Sequence, residues 1–187
     1  MQKRNNLPAL AQALIHGQKP SRSDLLLVHG AGLVFSGILL AFHASNLTIL
    51  QCTILFVLAW DMAGGMVANV TRSTNDWYCV QPAWVSIVFV AFHIFQPTVV
   101  LIFFPLANPI YFLGLYLFML AAALLVLQIR KSFIQKPLAM ALLLLGILLF
   151  NQFLPGETAL YWFAPVYLIK LIYGFSVNHY SAGIPEL

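Results

Sequence analysis

Residues 47–69 read LTILQCTILFVLAWDMAGGMVAN, a run broken by a single charge, Asp61. A helix that crosses a bilayer needs about 20 mostly apolar residues, because the hydrocarbon core is roughly 30 Å thick and each residue adds about 1.5 Å. This stretch meets the requirement. Its one carboxylate then stands where charge is costly, so the same residues that set the fold also raise the question of function.

Five more segments of the same kind flank it, at 24–44, 83–104, 109–130, 137–154 and 158–177. The breaks between them have their own chemistry. Asn46 sits in a very short turn, RSTNDWYCVQ (72–81) is the longest polar connection, Pro105, Asn108 and Pro109 mark a tight turn, and Pro155–Gly156 marks another. Lipid offers no partner for backbone polar groups, which leaves helices or a closed barrel. The runs do not alternate as barrel strands do. The expected fold is therefore an all-α integral membrane protein, a bundle of six transmembrane helices over 24–177.

Composition agrees. Of 187 residues, 61% are hydrophobic and 7% are charged. A soluble domain carries about 25% charged residues and must still cover itself with polar groups. That balance excludes a soluble enzyme and a disordered chain. The net charge of +4 does not make a nucleic-acid-binding face, since the basic residues fall in a topological pattern. Lys3, Arg4, Lys19 and Arg22 precede the first span, Arg72 lies in the second loop, and Arg130, Lys131 and Lys136 lie in the fourth. The first, third and fifth loops carry none. Both termini are expected in the cytoplasm. Segment 1–23 reads as a polar, basic stretch whose apolar patch, Leu7 to Ile15, is too short for a signal-peptide core. It is either an interfacial amphipathic helix using Leu10, Leu14 and Ile15, or a frayed tail. Residues 178–187 form a cytoplasmic tail. Cys52 and Cys79 fall toward opposite faces and should not pair.

Four ionisable residues lie inside spans: His29, Asp61, His93 and Lys170. Counted from the basic end of each span they are about 5, 8, 10 and 7 residues deep, or roughly 8 to 15 Å. Four helices thus place ionisable groups at similar depth in one half of the membrane, and a common interior would bring them together. Asp61, Gly65, Asn69 and Arg72 share a helical face. Thr71, Ser73, Asn75 and Asp76 would extend that face into a polar vestibule. His29, Ser36 and His43 stack along one side of the first span. Pro97 frees a carbonyl near residue 93, beside His93 and Gln96. Lys170 either snorkels to the interface or pairs with Asp61. Trp60 walls the pocket or joins the interfacial belt.

Asp61, His29, His93, Asn69 and Lys170 are the expected catalytic set. His29, Asp61 and His93 have the donor types that hold a divalent metal such as zinc, whose bound water would attack a lipid bond. No HExxH spacing supports this, and an Asp–His acid–base couple needs no metal. The expectation is a membrane enzyme acting on a lipid or membrane-soluble substrate, with membrane lipids as its partners and no nucleic acid. A proton-coupled transporter, a haem protein ligated by His29 and His93, and a structural or assembly subunit are the alternatives.

Overall fold

The computed structural model describes residues 7–153 and 155–180, and every regular element among them is helical. In chain order, α1 is Leu7–His16, α2 Arg22–His43, α3 Ile49–Asn69, α4 Arg72–Val80 and α5 Ala83–Phe92. They are followed by α6 Phe95–Phe103, α7 Pro109–Gln128, α8 Gln135–Asn151 and α9 Phe163–Leu168. A π-helix, Ile169–Phe175, continues α9 directly.

Five helical stretches are long and apolar enough to cross a membrane: Arg22–Asn46, Ile49–Asn69, Ala83–Phe103, Pro109–Gln128 and Thr158–Phe175. They mark a multi-pass membrane protein. The segment expected over 137–154 is α8, apolar but 17 residues long. At about 1.5 Å per residue it reaches roughly 26 Å, a little under the hydrocarbon thickness. Large side chains such as Leu26, Phe42, Ile49 and Ile110 are turned outward, an arrangement that suits lipid rather than water. The last span is the buried one. Phe163, Tyr167, Leu168, Leu171 and Ile172 are all inaccessible, so this helix runs through the middle of the bundle and carries Lys170 with it.

Hydrogen bonds tie the connections into two ends. At one end the Asn108 N–H donates to Pro155 O at 2.8 Å, and Gln51 Nε2 donates to Phe103 O at 3.2 Å. At the other, Gln135 Nε2 donates to Ser176 O at 3.0 Å, Asn75 Nδ2 to Val177 O at 2.8 Å and Arg130 Nη1 to Tyr78 O at 3.4 Å. Arg72, Arg130, Lys131 and Lys136 all belong to this second end, as the loop pattern requires. Cys52 and Cys79 are free thiols, Cys52 near the Ala44 carbonyl and Cys79 beside Asn75.

Two expectations change, and one that was left open resolves. The polar connection 72–81 is not a loop, because Thr71 caps it and residues 72–80 wind into α4. The third span is broken at His93–Ile94 into α5 and α6. Pro97 supplies no N–H for His93 O, and the Tyr167 hydroxyl donates to that carbonyl instead, at 2.8 Å. Finally, the N-terminal patch is a formed helix docked on α4. Ser73 Oγ donates to His16 O at 2.5 Å, and the Tyr78 hydroxyl donates to Leu14 O at 2.9 Å. Gly17 ends α1 at φ +73°, and a Cβ there would lie 2.0 Å from Ser73 O. Lys3 and Arg4, and the tail beyond Tyr180, lie outside the described residues.

Candidate functional site

Three elements meet at Asp61. The residue itself is on α3, Gln96 is on α6 and Lys170 is on the π-helix. Lys170 Nζ lies 3.0 Å from Asp61 Oδ2 and donates to Asp61 O at 3.3 Å. Gln96 Nε2 donates to the same Oδ2 at 3.2 Å. The two ions are not equally enclosed: the Lys170 side chain is 4% exposed and the Asp61 side chain 52%. One carboxylate oxygen is therefore clamped, while Oδ1 has no protein donor among the described residues.

The α3 stripe builds the seat for Lys170. One turn past Asp61, Gly65 leaves room for the lysine stem, since a Cβ at that position would sit 2.7 Å from Lys170 Cε and 2.8 Å from Nζ. One turn further, Asn69 Nδ2 donates to Lys170 O at 3.0 Å. Asp61, Gly65 and Asn69 thus hold the head, stem and backbone of one residue. Lys170 does not snorkel. The π-helical winding here is a rare geometry that recurs at functional sites. Ser176 closes it, donating from both its N–H, at 3.2 Å, and its Oγ, at 2.7 Å, to Leu171 O.

The open side of Asp61 faces a cleft of about 240 Å³. Trp60, Asp61 and Gly64 of α3 form its floor, Val28 and His29 of α2 one wall, and Ile15 and His16 of α1 the other. The rings of His16 and His29 meet edge to face at 5.3 Å between centroids, and His29 meets Trp60 in the same manner at 6.0 Å. Burial, and then the neighbouring His29, hold the His16 imidazole below its ordinary pKa. Trp60 lines this pocket. His16 was not among the expected site residues. Its only sequence signal is its place in the last turn of a short amphipathic helix, a favoured place for a histidine.

The remaining expected residues divide. His93 is buried at 5% exposure with its Nδ1 2.7 Å from Phe89 O, which puts the ring proton on Nδ1. Its ring packs on Phe89 at 4.6 Å. It is not a wall of the cleft. His29, Asp61 and His93 are not gathered as a ligand set, and no group of three or more His, Cys, Asp or Glu that could hold a metal exists among the described residues. The Lys170 ammonium already sits on Asp61 Oδ2, where a cation would bind. The residues do not fit zinc, and His29 lines the cleft while His93 does not, so the two are not presented to one shared site.

The expected polar vestibule is also absent as such. Ser73 is spent on His16 O, Asn75 bridges Val177 O and the His179 N–H, and Asp76 pairs with Arg72 at 3.4 Å on the surface. Arg72 belongs to α4 and leaves the α3 stripe. Ser36 donates to Gly32 O at 2.8 Å and to Phe56 O at 3.1 Å, so its hydroxyl joins α2 to α3 and does not extend a polar path from His29 to His43.

No protein-family model matches the chain, and no curated protein or solved structure matches it.

Proposed function

We propose that the chain is a membrane enzyme that performs acid–base chemistry, without a metal, on a lipid or other membrane-soluble substrate at the Asp61 cleft. The observation that carries this reading is the half-open carboxylate: Oδ2 is fixed by Lys170 and Gln96 while the rest of the group faces a cleft shared with His29 and His16. A carboxylate held this way costs little reorganisation when charge develops beside it. In the proposed arrangement His29 takes or gives the proton, Asp61 stabilises the charged imidazole or a cationic substrate group, and Lys170 holds Asp61 Oδ2 in place. His93 and Asn69 position this set, His93 through the α5–α6 break and Asn69 through the Lys170 backbone.

At about 240 Å³ the cleft falls below the usual range for a pocket that encloses a drug-sized ligand, about 300–1,000 Å³. That volume suits the reacting end of a headgroup rather than a whole lipid. The basic end, by its lysines and arginines, is assigned to the cytoplasm, which would open the site toward that leaflet. Proton-coupled transport is the second reading, and the buried Asp61–Lys170 pair is what favours it. The closed Ser36 hydroxyl weighs against a continuous polar route through α2.

The test is to hold the purified protein in nanodiscs of total polar lipid and follow the lipid species by mass spectrometry. Conversion by the wild type, lost in His29→Ala and Asp61→Asn variants that remain folded, supports the reading. An unchanged lipid profile with the wild type would refute it.

A further inference from the structure

A second polar constellation lies away from Asp61, where the start of α5 meets the end of α7. A cavity of about 310 Å³ opens there, with Ile87 and Leu124 on its apolar side and Ser86, Gln128 and Arg130 on its polar side. Two of these polar groups lack partners. Ser86 is 2% exposed, yet its Oγ has no hydrogen bond, and Arg130 Nε is buried with none. Buried polar atoms are nearly always satisfied, and each orphan costs about 1–3 kcal/mol, so a pair of them lining one cavity points to a ligand that supplies acceptors. A second cavity, of about 510 Å³, adjoins the first through Leu127, Gln128 and Arg130 and runs on to Lys131 and Ser132.

The charge is equally one-sided. Among the described residues the ion pairs are Arg72–Asp76 and Lys170–Asp61, so neither Arg130 nor Lys131 meets a carboxylate. Burial lowers the Arg130 guanidinium from its ordinary value. Its Nη1 is anchored on Tyr78 O at 3.4 Å, which fixes the fork while leaving Nε available. A guanidinium fork, a lysine and two hydroxyls suit phosphate oxygens, and apolar walls at membrane depth suit an acyl chain.

We propose that this groove binds an anionic phospholipid, its phosphate held by Arg130, Lys131 and Ser86 and one acyl chain lying between Ile87 and Leu124. The site is independent of the Asp61 cleft and does not rest on the proposed catalysis.

The test is native mass spectrometry of the full chain, released from micelles doped with phosphatidylglycerol or phosphatidylcholine. The wild type should retain phosphatidylglycerol in preference to phosphatidylcholine. Arg130→Gln should weaken that retention by about tenfold or more, the worth of a charge-assisted hydrogen bond. Arg72→Gln, which removes an equal charge from the surface of α4, should retain the lipid as the wild type does. Leu124→Trp keeps every cation but fills the apolar side, and it too should lose the lipid, which covers the case in which Arg130→Gln does not fold. Equal retention of both lipids, or phosphatidylglycerol kept by Leu124→Trp, would overturn the proposal. Retention of inorganic phosphate without the lipid would also overturn it, in favour of a free-anion site.

Discussion

The Asp61–Lys170 pair should respond unequally to loss of its two members. Lys170 is enclosed, with 4% of its side chain exposed, whereas 52% of the Asp61 side chain is open. Asp61→Ala strands a buried ammonium, whose remaining acceptor is the Asp61 backbone carbonyl at 3.3 Å. Stranding a buried charge costs about 3–5 kcal/mol. Lys170→Met instead leaves a half-open carboxylate that keeps Gln96 and can draw on water in the cleft. Its cost should lie in the range of ordinary membrane hydrogen bonds, about 0.6 to 1.7 kcal/mol. The double variant leaves no buried charge and should fall close to Lys170→Met alone, well short of the sum. The assay is reversible unfolding in mixed bicelles at graded sodium dodecyl sulfate, run as a double-mutant cycle. Equal single costs that add to within about 0.5 kcal/mol would refute the argument, because they would mean that the two ions are not coupled in the folded protein.

Other consequences follow from the same geometry. Gly65→Ala should cost about 1–3 kcal/mol by crowding Lys170 Cε, 2.7 Å from the added methyl, and the cost should vanish in a Lys170→Ala background in the same unfolding assay. Tyr167→Phe should lose about 1–2 kcal/mol by orphaning His93 O, and Pro97→Ala should restore most of that by returning a backbone N–H to the same carbonyl. The His16 imidazole has its pKa lowered on folding, so the unfolded chain binds more protons. Its neutral form favours the docked helix above the ordinary value of 6.5, and that contribution is lost as pH falls below it. The hydrogen-exchange protection of the α1 amides, corrected for the intrinsic exchange rate at each pH, should therefore fall between about pH 7.5 and about pH 5, roughly one unit or more to either side of the ordinary value, and His16→Ala should flatten the profile; an unchanged profile would contradict the docking argument.

Five of the six expected spans were legible because lipid demands about 20 apolar residues and the sequence supplies them in plain runs. Similar depth made Asp61 one of two readings for Lys170, the other being a side chain that snorkels to the interface. Their supports were harder to see. Gln96 reads as a neighbour of His93, yet its amide crosses to α3 because the break at His93–Ile94 reorients α6. The freed carbonyl before Pro97 was foreseeable, but its donor, Tyr167, lies 74 residues away. Local pattern carries no information about such a pairing. The stretch 72–80 reads as a loop by its polarity, while its hydrogen-bonding side chains turn out to dock α1 and the C-terminal segment. His16 entered the site only because that docking brings α1 against α2. The metal set failed for a related reason: similar depth does not fix which side of a helix a residue takes, and His93 turns to Phe89 O while His29 faces the cleft.

The central claim, acid–base turnover of a membrane-soluble substrate at the Asp61 cleft, is tested most directly on one preparation of proteoliposomes by reading lipid composition and luminal pH together. The account predicts a change in lipid species without collapse of an imposed pH gradient, absent in Asp61→Asn and His29→Ala. Collapse of the gradient without lipid conversion, abolished by Asp61→Asn, would contradict it and establish proton transport at the same residues.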